Sequence, residues 1–346
     1  MKGREIVASF NLIDENWILV IDNDGDTKEI SLKELFSNAS NYKDLAGEMK
    51  TQDFAVLRIL LAILQTVFSR FDADGISYEY LELDEDYRQL EDVEEDDLKD
   101  YKKDLKRTWK NLWKAGEFPY IVNEYFEKCH DRFYLFDDKY PFMQVSEDII
   151  RNNTKNKKGT DISIKNINRT ITESNNKISL FAGKDASSKN LTTEAEIARW
   201  LITYHGYTGT GDKTKFTDID DKFTPSKGWL YDIGGIYFTG NNLFETLMLN
   251  LILVHPADFN ANKQKPAWEY SPQENVNEDL SKSLVNNLSE LYTRYSRAIY
   301  IDPDTDLDKE FSFEVVKLLD LEHKNKSLEL MTTWRKNESG PNKGSF

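Results

Sequence analysis

Thr51-Gln52-Asp53-Phe54-Ala55-Val56-Leu57-Arg58-Ile59-Leu60-Leu61-Ala62-Ile63-Leu64-Gln65-Thr66-Val67-Phe68 is the stretch that decides the fold. Phe54, Leu57, Leu61, Leu64 and Phe68 recur at helical spacing, and the polar stripe is confined to Arg58 and Gln65, two turns apart on one line of the helix. Thr51 is the candidate cap. A helix with so narrow a polar line is buried on most sides. It is shorter than the roughly 20 apolar residues of a membrane span and is interrupted by Arg58 and Gln65, so it reads as the core helix of a globular protein.

Upstream of it, Ile6 to Leu12 and Trp17 to Ile21 are rich in β-branched and aromatic residues. Asn23-Asp24-Gly25 supplies a hairpin turn that tolerates positive φ. An N-terminal β-meander is expected. Downstream, acids crowd from Glu82 to Asp100 so densely that they predict a solvated loop or frayed helix. Leu105, Trp109, Leu112 and Trp113 then share a helical face that Gly116 stops, and Pro119 opens a helix carrying Ile121, Val122, Tyr125, Phe126 and Cys129. Thr193 and Glu196 form a capping box before a helix through Trp200 that ends at Gly206. Asn242 with Glu245 caps a second apolar helix over Leu243 to Val254. Phe311, Phe313 and Val315 alternate as a strand does, and Asn337 to Gly344 is loop chemistry. The fold class expected is α+β, a large mixed globular domain with an N-terminal antiparallel sheet and several buried helices, treated as one unit over residues 1–346.

The 346 residues are 39% hydrophobic and 12% aromatic, enough for a substantial core. A formal net charge of −16 argues against a protein that coats DNA or an anionic membrane by itself, because repulsion opposes the encounter. Against that background the segment from Arg151 to Asn190 is a long basic loop. It carries Arg151, Lys155, Lys157, Lys158, Lys165, Arg169, Lys177, Lys184 and Lys189 against Asp161, Glu173 and Asp185. Local positive charge on an acidic body suggests a specific polyanion partner presented by other molecules.

Catalytic chemistry finds no local support. Cys129 is the single cysteine, which excludes an intramolecular disulfide and a thiolate zinc cage and fits a reducing cytoplasm. Met1 to Phe10 lacks the apolar core of a signal peptide, so a cytoplasmic protein without a membrane segment is expected. His130, His205, His255 and His323 show no i, i+4 pair; only convergence in three dimensions would make a metal-dependent hydrolase. No serine sits in a GxSxG elbow and no lysine follows a Walker-type loop. Asp302 to Asp306 begins like a calcium loop, but Leu307 stands where glycine is needed and Phe313 where glutamate is. No cofactor or metal is expected. Tyr207-Thr208-Gly209-Thr210-Gly211-Asp212-Lys213 is a glycine-bearing loop too short for a dinucleotide fingerprint, yet glycine lets backbone approach a ligand closely.

Three blocks make the chain recognisable: Phe10 to Ile18, Asp131 to Phe136 with Pro141 to Gln144, and Asn242 to Leu247. Leu45-Ala46-Gly47, Ala198 to Leu201 and Pro266 to Glu269 support them. In order and spacing they resemble CasA, the large subunit of type I-E CRISPR Cascade complexes, over essentially the whole chain. The resemblance implies a non-catalytic subunit that recognises the protospacer-adjacent motif in double-stranded DNA, helps load the target and recruits a helicase-nuclease. Its implied partners are other Cascade subunits, the crRNA 5′ end and target duplex.

It also implies nucleic-acid-binding residues. Phe181, Ala182 and Gly183 look like the tip of a loop directed to the guide, followed by Lys184 and Lys189; the ring either stacks on a base or anchors in the fold. Gly209, Thr210, Gly211 and Lys213 resemble a loop laid in the minor groove. Lys336, with Arg335 as competitor, matches a groove-reading lysine. Family members continue into a strand-separating wedge and a C-terminal four-helix bundle, neither of which has a counterpart before Phe346, so the resemblance is to an N-terminal domain. The alternative is an acidic scaffold that docks partner proteins and never touches DNA.

Overall fold

The computed structural model describes residues 8–168, 184, 187–209, 214–219, 224–231, 233–281, 285–321, 328–337 and 340–343. At its centre helix α2 (Lys50–Phe68) is buried on every side, Arg58 and Gln65 included. The narrow polar line of Arg58 and Gln65 meets protein as well. Arg58 donates to Glu329 at 2.8 Å and lies 4.1 Å from the Tyr292 ring centroid. A buried charge needs such a partner, because desolvation without one costs several kcal/mol, of order 3–5. α2 is long and apolar enough to cross a membrane, yet it forms the core of this fold.

Around α2 pack α4 (Ile121–Cys129), α7 (Glu194–Tyr207), α8 (Leu243–Asn250) and α10 (Leu288–Thr293). At the far end of α2, Arg70 makes a bidentate pair with Glu269 at 2.6 and 2.9 Å, and Tyr125 donates to the same carboxylate at 2.8 Å. The expected capping residues act at α7 and α8: the Thr193 and Asn242 side chains accept from Glu196 N and Glu245 N. At α2 the expectation fails, since Met49 is the cap position and Thr51 lies exposed inside the first turn. α3 (Leu98–Ala115) stops where expected, at Gly116 with φ +76°. α8 ends at Asn250, four residues before the expected Val254, because the Asn250 side chain turns to bind the Phe238 backbone through both its donor and its acceptor.

The fold is mixed α+β with antiparallel sheets at its N-terminal end. Strands β2 (Ile18–Asp22) and β3 (Thr27–Ile30) form the predicted hairpin, where the Asp22 carboxylate accepts from Asp24 N and Asp26 N and pairs with Lys28. After the short helix α1 (Leu32–Asn38), β4 (Tyr42–Leu45) joins the other side of β2, giving the order β3-β2-β4. β1 (Ser9–Asn11) is not part of this meander. It pairs with β5 (Tyr134–Phe136), a partner more than a hundred residues away that no local turn announces.

A second three-stranded sheet runs β6 (Thr160–Ser163), β8 (Ser312–Lys317), β7 (Arg297–Tyr300). It absorbs the first part of the basic segment. Arg151 closes α5 (Glu147–Asn153) and bonds the Glu314 carboxylate at 2.7 and 2.8 Å, β6 pairs with β8, and α6 (Ile164–Ile167) follows. Residues 151–168 are therefore built into the domain, as the end of α5, β6 and α6 joined by a short connection over 155–159. Two further helical or strand elements differ from expectation: α9 (Pro272–Ser281) precedes α10, and Asn337 to Gly344, read as loop, contributes β10 (Gly340–Lys343), which pairs with β9 (Trp334–Asn337) as a hairpin.

Candidate nucleic-acid interface

Helix α7 ends by handing its chain to the glycine loop. Thr208 N donates to Tyr204 O at 2.9 Å, and the Thr208 hydroxyl donates to the same carbonyl. The loop root is then braced by residues 226–231. Gly228 N donates to Thr208 O and Leu230 N to Gly206 O, each at 2.9 Å. The two backbones approach so closely that a Cβ on Gly228 would stand 2.2 Å from Gly206 O. Beneath them Arg297 of β7, fully buried, donates to Gly209 O, to Ser226 O at 2.7 Å and to Ser296 O at 2.6 Å. One guanidinium thus fixes loop root, brace and strand together.

His205, one turn before the loop, belongs to this support. Ser296 N donates to its Nδ1 at 3.2 Å, so Nε2 carries the proton and donates to Met143 O at 2.8 Å. Burial, with Arg297 nearby, pushes its pKa down to about 4. It is a neutral structural imidazole.

At the outer side of the root, Tyr231 is half exposed beside Gly209, and the Lys227 ammonium lies 5.6 Å from its ring centroid. The far root is held equally firmly: Thr214 N donates to Thr160 Oγ1 at 3.2 Å and Lys317 N to Thr214 O at 3.0 Å. Thr210, Gly211 and Lys213 lie outside the described residues, between these two anchors.

The brace also reaches the hairpin that carries the other candidates. Trp229 Nε1 donates to Glu329 Oε2 at 2.8 Å, the carboxylate that Arg58 also binds. Just beyond, Met331 O accepts from Ile236 N and Thr332 Oγ1 donates to Gly234 O, so the chain enters β9 from a fixed point. In the hairpin register Arg335 stands opposite Asn342 and Lys336 opposite Pro341. The structure therefore brings the Gly209 root and the β9 entry together on one brace. Sequence reasoning missed Arg297, Gly228, Trp229 and Glu329; a buried arginine in a strand gives no local signal.

The remaining candidates sit apart from that brace. Lys184 is largely covered, its ammonium donating to Glu196 at 2.6 Å and to Leu191 O at 2.6 Å. Lys189 is partly exposed and has no ion pair among the described residues. Phe181, Ala182 and Gly183 lie outside the described residues. Of the other island cations, Lys158 pairs with Asp161 at 2.8 Å.

Among the described residues no group of three or more His, Cys, Asp or Glu side chains is placed to hold a metal ion. His130 bonds Asp14 at 2.7 Å, and His255 lies between Leu328 O and Ala257 N. Cys129 is buried, and burial raises its thiol pKa well above the usual value, leaving it inert.

Fold and site define a class: an α+β protein in which the Gly209 loop root and the entry to a β-strand pair are held by one braced segment. The chain belongs to the CRISPR-associated protein Cse1 family, whose model matches residues 11–345. The curated CasA/Cse1 protein of Thermus thermophilus is 26% identical over 268 residues, covering 77% of this chain and 43% of that protein. The crystal structure of Thermobifida fusca Cse1 is similar with a TM-score of 0.65 and 26% identity over 97% of this chain and 58% of that one. A chain of a structure titled CRISPR RNA-guided surveillance complex shares the fold, with a TM-score of 0.68 and 16% identity over 98% of this chain and 62% of that one. The chain thus spans about half the length of the relatives it matches.

Proposed function

We propose that this chain is the DNA-inspecting part of the large subunit of a type I-E Cascade complex. It recognises the protospacer-adjacent motif in duplex DNA, helps load the target and takes part in recruiting the helicase-nuclease. In this reading residues 209–213 approach the minor groove, where glycine admits the backbone without a Cβ, and Lys336 or Arg335 reads its degenerate acceptor pattern. The observation that supports it is the shared brace: a reader needs its two contacts held at a fixed spacing, and residues 226–231 tie the loop root to buried Arg297 and the β9 entry to the buried Arg58–Glu329 pair. Family membership agrees, as does the likeness to a chain of an RNA-guided surveillance complex. The test is target binding by the assembled complex carrying Lys336→Ala or Arg335→Ala. One of them should abolish discrimination between duplexes that differ only in the adjacent motif; full discrimination in both variants rejects the reading.

Because the Lys184 ammonium is already taken by Glu196, a second reading is kept: an acidic scaffold that docks partner proteins without direct DNA contact. Charge reversal at Lys189 discriminates. Loss of assembly favours the scaffold, whereas loss of target affinity with assembly intact favours direct contact.

A further inference from the structure

We propose that the outward face of α3 is a sequence-independent docking strip for the sugar-phosphate backbone of duplex DNA, separate from the Gly209 loop and the β9 hairpin. Lys99, Lys103, Lys106, Lys110 and Lys114 follow one another at steps of three or four residues and are exposed. Lys102 and Arg107 flank them. At about 100° per residue all seven cations fall within an arc of about 140°, and the two acids of the helix, Asp100 and Asp104, fall outside it. Tyr101, Leu105, Thr108 and Leu112 bury the opposite face. Lys102 pairs with Asp258 at 2.6 Å and Arg107 with Asp104 at 2.9 Å. The other five have no ion pair among the described residues.

Five unpaired ammonium groups on one rod repel each other. On a protein with a net charge of −16, unpaired cations in a row indicate an anion supplied from outside. The row from Lys99 to Lys114 is about 22 Å long, and duplex DNA presents one charge per about 1.7 Å of axis, a uniform line that a straight row can follow. Carboxylates of a protein partner would be met better by the arginine fork, but Arg107 is already engaged by Asp104. A single strand calls for free aromatic platforms. Trp113, which lies within the arc, has one ring face covered by Trp109 with centroids 5.4 Å apart, and Trp109 Nε1 is tied to Met248 O at 3.0 Å. The acids from Asp84 to Asp97 lead directly into the helix and repel phosphate on that side, which confines the duplex to the strip.

The test uses the assembled complex that contains the chain, with a fluorescent duplex of random sequence, titrated with KCl. Lys103→Gln/Lys106→Gln/Lys110→Gln changes exposed residues only, so its melting should match the parent. The slope of log K against log salt should become shallower by about 2.7, or 0.9 for each lost phosphate contact, and the corresponding triple arginine variant should restore it. Affinities for duplexes that differ only in the adjacent motif should fall by the same factor. An unchanged slope overturns the proposal, as does failure of the parent complex to bind duplex of random sequence at low salt. Equal binding and equal loss with a single strand overturns the assignment to duplex. A changed motif ratio overturns the separation from the reader.

Discussion

Gly228 and Gly209 lie in the same tight crossing but differ in the room around them. A Cβ on Gly228 would stand 2.2 Å from Gly206 O and 2.6 Å from Tyr207 N, both backbone atoms that cannot swing aside. Gly228→Ala must part the brace from the loop root and should cost about 1–3 kcal/mol, the range for overpacking a filled site. At Gly209 the nearest atom is a Tyr231 ring carbon at 3.4 Å, an ordinary contact. Gly209→Ala should stay within about 0.5 kcal/mol of the parent in denaturant unfolding. If the proposed reader is right, it should nonetheless weaken duplex binding in the assembled complex; Gly209→Ala with parental stability and parental binding would remove this residue from the interface. His205 gives a second residue-scale expectation. Its folded pKa of about 4 lies below the unfolded value near 6.5, so the unfolded chain binds the extra proton between them. The stability is present above pH 6.5 and is lost as pH falls toward 4, by about 3 kcal/mol at most. In His205→Gln that part of the pH dependence should vanish. An identical pH slope in both proteins would show that other groups cause it.

Two threonines show at the scale of the element what could be read in advance. Thr193 and Thr51 both precede helical periodicity, and both are capping residue types. Thr193 has Glu196 three residues on, and the bonds run both ways: Glu196 N donates to the Thr193 hydroxyl at 3.3 Å and Thr193 N to the Glu196 carboxylate at 3.2 Å. Thr51 has Phe54 in that place, and the start of α2 is organised instead by Gln52 and Asp53, which turn back to accept from Glu48 N and Gly47 N. Thr193→Ala should therefore cost about 1 kcal/mol and Thr51→Ala less than about 0.5 kcal/mol, as measured by unfolding midpoints; equal costs would restore Thr51 as the cap. Reciprocal side-chain chemistry was legible here, and a lone capping residue was not enough. The same holds along α3, whose buried face and glycine stop were plain from apolar spacing. Its cationic arc was equally periodic but became visible only when the helix showed which residues remain unpaired.

Across the whole molecule, local signals gave the elements and not their partners. The β2–β3 hairpin announces itself through Asn23-Asp24-Gly25, whereas β1 finds β5 more than a hundred residues away and Arg58 finds Glu329 across most of the chain. Spacing places Arg58 on a polar stripe but does not name its partner, Glu329, which lies far along the chain. The candidate site was legible to the same degree. Its glycines and lysines could be named, but the groups that hold them, Arg297, Gly228, Trp229 and Glu329, lie on separate segments of the chain. That dispersal leads to a test of the brace as a coupling device. Trp229→Phe removes one N–H donor from Glu329 while leaving Arg58 in place, so the buried carboxylate stays paired and the stability cost should be only about 1 kcal/mol. Loop root and hairpin entry would then lose a shared anchor without losing their own contacts to Arg297 and Ile236. Two contacts that must meet one groove at a fixed spacing should suffer more than either alone. In the assembled complex, Trp229→Phe should lower the affinity ratio between duplexes with and without the adjacent motif several-fold while motif-free binding stays constant. A parental ratio would mean that the loop and the hairpin act independently, and that the brace serves stability alone.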